Sequence, residues 1–274
     1  MYSGTFLILL GFFHLGIWLV QGGEWEGPLS IRKPILFGFS AGVTTWSIAW
    51  VVRRLPEWRV DRWIEGVFSL SLIAEVLLIV VQQWRGVGSH FNRQTPFDAA
   101  VFSAMGLLIQ IITVCLVIWT IRGFGRLPCA MDERISIRVG MPLILVSCFI
   151  GAFMISYGEA RIAAGQTPEI YGAHGVLKFL HGVPLHSIQW LIAGCWIGRL
   201  FSLAERDRVF VVLFISISQI LFTCFAAVQV FSGRNRFDLG SMGMILFGLA
   251  LLFLMASALP FIRARFARRQ ITSW

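Results

Sequence analysis

Five histidines occur in the chain, at positions 14, 90, 174, 181 and 186, and three of them lie in segments rich in other polar groups. Neutral imidazole is a common ligand for zinc and other transition metals. His90, His181 and His186 therefore form a candidate metal set, to which Asp98 or Glu75 adds an oxygen, with an open position for a water. His181 and His186 stand five apart, whereas one face of a regular helix wants three or four. The same imidazoles serve equally well as hydrogen-bonding groups between helices. A second chemistry is axial ligation of haem b by His14 and His186, with Gln189 beside the latter as a further cofactor contact.

Catalytic candidates are Glu75, Asp98 and Arg85. An intramembrane carboxylate such as Glu75 is a functional candidate by default, as proton carrier, metal ligand or arginine partner, and otherwise a structural hydrogen-bonding group. Arg85, Ser89, His90, Asn92 and Asp98 crowd one short connection. Ser89 beside His90 suggests a nucleophile and base, but adjacent residues rarely point at each other. Two readings remain for this connection. It folds over the mouth of a helix bundle and contributes ligands, or it is a cap in which Thr95 or Asp98 starts the next helix.

Composition dictates what must position these residues. The chain of 274 residues is 57% hydrophobic and 14% charged, with a mean hydropathy of +0.77, whereas soluble domains carry about a quarter charged residues. A bilayer is the expected solvent, and each span needs about 20 mostly apolar residues. Such runs occur at 4–21, 34–52, 66–81, 99–121, 139–157, 174–200, 209–231 and 241–262. Backbone groups in hydrocarbon need internal partners, and uninterrupted runs of this length suit helices. The fold class expected is all-α: a single domain, residues 1–274, of about eight transmembrane helices. The first run follows Met-Tyr-Ser-Gly, without a basic leader region, and reads as a retained helix.

A net charge of +9 would suggest nucleic acid in a soluble protein. Here the arginines sit in short segments between apolar runs, a pattern of membrane topology. Arg53, Arg54, Arg59, Arg62, Arg122, Arg126, Arg134, Arg138, Arg199, Arg206, Arg208 and the arginines from 263 onward fall on one side, 15 in all, against seven basic residues on the other, Arg32, Lys33, Arg85, Arg93, Arg161, Arg234 and Arg236. The positive-inside rule then puts both termini in the cytoplasm, and the expected location is the bacterial cytoplasmic (inner) membrane. The least generic segments, 85–98, 159–174 and 232–238, fall outside. Trp18, Trp25, Trp46, Trp50, Trp58, Trp63 and Trp84 read as interfacial anchors. The five cysteines read as small packing residues.

Polar residues at membrane depth normally face a bundle interior. Glu75 and Gln82 are seven apart and return to within about 20° of one face, with Ser71 on it. His14 with Gln21, Ser103 with Gln110, and Ser216, Gln219 and Thr223 repeat the pattern. His174, Lys178, His181, His186 and Gln189 fall within an arc of roughly 140°. Pro184 should kink that helix, and Gly175 and Gly182 permit close approach.

The stretches 27–38, 83–92 and 178–189, including Gln-Trp-Arg-Gly-Val-Gly-Ser-His-Phe-Asn and Lys-Phe-Leu-His-Gly-Val-Pro-Leu-His-Ser-Ile-Gln, resemble those of bacterial multi-pass membrane proteins of about eight helices. That resemblance implies a fold and no activity. More loosely, the chain is similar to alkaline ceramidase-like membrane hydrolases, whose zinc is held by histidines and an aspartate. His90, Asp98, His181 and His186 match those residue types, although the spacing differs.

The leading expectation is a membrane-embedded enzyme using a divalent metal such as zinc, acting on a lipid-like or small molecule reached from the extracytoplasmic side. The alternatives are a haem- or quinone-binding redox protein and a proton-coupled transporter or channel lined by Glu75, Gln82, Gln110 and Gln219. Expected partners are the bilayer, that ligand, and a second copy or the subunits of a membrane complex, with no nucleic acid.

Overall fold

A computed structural model describes residues 1–25, 27, 29–168 and 175–271. Its regular structure is helical: α1 (Tyr2–Gln21), α2 (Arg32–Val52), α3 (Asp61–Trp84), α4 (Pro96–Gly123), α5 (Met131–Ala163), α6 (Leu177–Leu200), α7 (Glu205–Phe231), α8 (Ser241–Ala256) and α9 (Leu259–Ile271). The described residues of each expected apolar run are largely helical, the run 241–262 being shared by α8 and α9. Among the described residues seven helices are long and apolar enough to cross a membrane: α1 to α5, α7, and α8 continued to Arg265. The remaining expected span, 174–200, is α6. It has the length, at 24 residues, but Lys178, His181, His186 and Gln189 dilute its apolar content, and it falls outside that set. His174 lies outside the described residues.

Large apolar side chains line the outer surface, among them Leu70, Leu107, Phe149 and Trp196, as helices bathed in lipid require. α5 runs from 131 to 163, well beyond the apolar run 139–157 that marks it in the sequence. Asp132 and Glu133 occupy its first turn, where carboxylates complement the helix dipole. Glu133 accepts the Ala130 N–H at 3.3 Å.

The chain divides into two compact units, Met1–Trp119 with Ser156–Tyr171, and Thr120–Ile155 with Gly172–Trp274. In the first, α1 and α2 meet through glycines. A Cβ at Gly38 would lie 2.8 Å from Gly11 Cα, and one at Gly42 would lie 2.8 Å from the Gly4 carbonyl. This is the close backbone approach that small residues four apart allow in membranes. α3 packs on α1 and α2 with Phe68, Ser71, Glu75, Ile79 and Gln82 buried, the face expected from their spacing. Ile79, Val101 and Met105 carry the core from α3 to α4, with Phe37 and Leu78 packed against them.

Helical phase was a poorer guide elsewhere in this unit. His14 is buried but Gln21 is exposed, and Ser103 and Gln110 both face outward. Ser103 donates to the Ala99 carbonyl at 2.9 Å, so its hydroxyl is satisfied by its own helix and needs no bundle interior. Trp50, expected as an interfacial anchor, is instead a core residue at 8% exposure, with the Arg54 guanidinium carbon 3.7 Å from its ring centroid. Trp58, Trp63 and Trp84 are exposed at helix ends.

In the second unit α7 packs against α6 and α8 around Leu177, Leu180, Ala226 and Val230. Ser216 and Gln219 are buried and Thr223 half-buried; Gln219 accepts from Ser187 at 3.2 Å. Asp132, fully buried, binds Arg199 at 3.2 Å and Arg208 at 3.3 Å, while Arg199 also reaches Glu133 at 3.1 Å. Arg199 and Arg208, read from the sequence as topology anchors, are thus also structural ion-pair partners. Gly175 adopts φ +63°, and a Cβ there would meet Gly233 and Val230 at 3.1 Å; a Cβ at Gly182 would meet nothing within 4 Å. The five cysteines are free, with Cys115 and Cys195 buried.

Candidate functional site

The connection from α3 to α4 is folded inward within the first unit. Phe91 takes a φ of 57°, a left-handed conformation uncommon for a bulky residue. Its ring is held by Phe102 at 5.4 Å and by Gly158, where a Cβ would come within 2.5 Å of Phe91 Cζ. Arg93 pairs with Glu159 at 3.2 Å, and Asn92 Oδ1 accepts the Gln94 N–H at 3.1 Å. With the segment pinned in this way, Ser89 and Asn92 are buried.

Ser89 and His90 there meet Lys33, from the first turn of α2. The Lys33 ammonium donates to Ser89 Oγ and lies 3.0 Å from His90 Nδ1, while Ser89 Oγ is 3.2 Å from the same nitrogen. An ammonium has donors only, so Nδ1 accepts in this state and the imidazole proton resides on Nε2. Phe37 and Phe102 flank the His90 ring, each with its centroid 6.2 Å away. Glu75 lies on the buried face of α3, which packs on α2. That carboxyl is 2% exposed, and its Oε2 has no hydrogen-bond partner among the described residues. An amine, an imidazole and a hydroxyl therefore meet beside two aromatic rings.

Asp98 and Arg85 are organised differently. Asp98 Oδ1 accepts from Arg85 at 2.6 Å and Gln82 at 2.9 Å, and Arg85 also donates to Gln82. Asp98 Oδ2 accepts from Thr95 at 2.6 Å. Thr95-Pro-Phe-Asp98 is a helix start with Thr as N-cap, Pro at the first helical position and Asp closing the box. Of the two readings made of this connection, the cap describes Thr95 and Asp98, and the inward fold describes Ser89 and His90.

The other candidate residues lie apart from this cluster in role. His14 uses both ring nitrogens inside the first unit. Nδ1 donates to the Leu10 carbonyl at 2.8 Å, and Nε2 accepts from Trp84 at 3.1 Å, so neither nitrogen offers a lone pair to iron in this arrangement. In the second unit His181 Nδ1 is 2.9 Å from the Ser147 carbonyl, and Ser147 Oγ donates to the His181 carbonyl at 2.8 Å, a clasp between α5 and α6. His186 and Gln189 lie half-buried one turn apart on α6. Among the described residues no group of three or more His, Cys, Asp or Glu side chains is placed to hold a metal ion. The expected set of His90, His181 and His186 is thus without support from the geometry.

The residue that sequence reasoning overlooked is Lys33, counted there only as a flanking charge. One signal was present: the chain has two lysines among its 23 basic residues. Arginine stays charged in proteins, whereas lysine can give up its proton, so a lysine in an arginine-dominated chain points to chemistry. Compared with protein-family models, with curated proteins and with solved structures, the chain matches none. Its functional reading rests on its own residues.

Proposed function

We propose that this chain is a membrane-embedded enzyme that acts on a lipid-like molecule by acid–base chemistry at Lys33, Ser89 and His90. Glu75 serves as a buried proton store, and the site faces the extracytoplasmic side on the positive-inside count. The carrying observation is that Lys33 reaches both Ser89 Oγ and His90 Nδ1, groups 56 and 57 residues away in the chain. Three groups able to exchange a proton converge on one point, walled by aromatic rings. A transport path along Glu75, Gln82, Gln110 and Gln219 is less well supported, since Gln82 is engaged by Asp98 and Gln110 faces outward.

Purified protein in vesicles of total polar lipid from its expression host tests this reading. Mass spectrometry should show time-dependent consumption of a lipid species. In Lys33→Met and His90→Ala the rate should fall by about 10²-fold or more, the usual contribution of general acid–base groups. Identical lipid profiles for wild type and Lys33→Met would overturn it.

A further inference from the structure

Ser89 is the one side chain in this cluster that is poised to attack and not merely to carry a proton. We infer that Ser89 is the nucleophile of an acyl transfer in which Lys33 is the base, and that the substrate class is a carboxylic ester with an apolar acyl chain. This rests on the proposed acid–base enzyme and names its chemistry and substrate.

A serine hydroxyl is a weak nucleophile until an adjacent group takes its proton, and a lysine amine is one of the bases that does so in Ser-Lys arrangements. Lys33 stands in hydrogen-bond contact with Ser89 Oγ, the contact such a transfer requires. In the working direction, neutral Lys33 accepts the Ser89 hydroxyl proton as Oγ bonds to the ester carbonyl carbon. Collapse of the resulting adduct breaks the ester C–O bond, and the leaving alkoxide takes the proton back from Lys33. Water then attacks the acyl-Ser89 ester. Lys33 accepts the water proton and returns it to Ser89 Oγ as the carboxylic acid departs. Nothing is oxidised or reduced, and the serine and amine are regenerated.

The surroundings agree with this chemistry. For Lys33 to begin as an amine, its ammonium proton must first pass to water. His90 Nδ1 contacts both Ser89 and Lys33, within reach of the proton that passes between them. Phe37 and Phe102 flank it, and Phe91 packs on Phe102. Ser89 is 4% exposed, so substrate entry requires the segment to swing outward. Gly86 and Gly88 precede it, and a Cβ at either would meet nothing closer than 3.8 Å, which leaves space for that movement.

The test is covalent labelling of the full-length protein in detergent by a fluorophosphonate probe, with the modified peptide located by mass spectrometry. The expected result is one adduct on Ser89 that is absent from Ser89→Ala. Labelling should slow about a hundredfold in both Lys33→Met and Lys33→Arg, since arginine keeps the charge but cannot act as a base. Thermal melting of each variant in the same detergent separates loss of chemistry from loss of fold. Labelling of Ser89→Ala at the wild-type rate, or of folded Lys33→Arg at the wild-type rate, would overturn the assignment. Lipid consumption that persists in Ser89→Ala would remove the nucleophile and leave the acid–base enzyme standing. No lipid consumption by any form would remove both.

Discussion

Thr95 and Asp98 hydrogen-bond each other in both directions. The Asp98 N–H donates to Thr95 Oγ1 at 3.1 Å, and the Thr95 hydroxyl donates to Asp98 Oδ2 at 2.6 Å. Because Asp98 Oδ1 also receives Arg85 and Gln82, this reciprocal pair ties the end of α3 to the start of α4 and sets both ends of the segment that carries Ser89 and His90. Thr95→Ala removes one cap and should cost about 1 kcal/mol. Asp98→Ala leaves three donors, on Arg85, Gln82 and Thr95, without their acceptor and should cost on the order of 2 kcal/mol, toward the low side for a broken buried pair because Arg85 is partly hydrated. Denaturation of the purified protein in mixed micelles measures both.

The glycine contact between α1 and α2 makes a position-specific prediction. In Gly38→Ala the new methyl meets backbone atoms of Gly11 and Leu7 within 2.9 Å, and backbone cannot swing aside. A loss of about 2 kcal/mol is expected from overpacking of this kind. Gly16→Ala, where nothing lies within 4 Å, should leave the melting temperature unchanged or slightly higher. Equal effects at the two positions would contradict the close approach.

Buried Asp132 holds two guanidinium groups. Asp132→Ala strands both and should destabilise by about 3 kcal/mol. Glu133→Ala loses the pairing to half-exposed Arg199 and to the Ala130 N–H, so its cost should be smaller, about 1 kcal/mol. Chemical denaturation that ranks Glu133 above Asp132 would show that the ion cluster is arranged otherwise.

His14 should be a single tautomer, with the proton on Nδ1 and with Nε2 accepting from Trp84. Nitrogen NMR of protein labelled at histidine should show that pattern, and Trp84→Phe should shift the Nε2 resonance while Nδ1 stays protonated. Haemin titrated into wild type and into His14→Ala should give the same visible spectrum. A spectral band dependent on His14 would restore the haem reading.

Much of the fold was legible because hydrocarbon is a demanding solvent and its demands are local. Runs of about 20 apolar residues must be helices there, and Thr-Pro-Phe-Asp marks a helix start whatever surrounds it. The inward face of α3 was legible too, since Glu75 and Gln82 need partners from other segments. Ser103 misled because its hydroxyl bonds to its own helix, which makes its position uninformative about the interior. The extension of α5 was missed because Met131-Asp-Glu-Arg134 is charged, and only the ion pairs to Arg199 show why it is helical and buried.

The amino-acid sequence on its own determined the membrane as solvent, the helices and the set of groups capable of chemistry. Tertiary structure alone decided which of those groups meet. Ser89 and His90 looked like unpromising neighbours until α2 brought Lys33 against both, and His14 looked like a ligand until Trp84 occupied its second nitrogen. The physical reason is one of range: the hydrophobic demand acts on each segment separately, whereas a proton-sharing contact needs two side chains within about 3 Å. Only the packing of helices distant in the chain sets that distance.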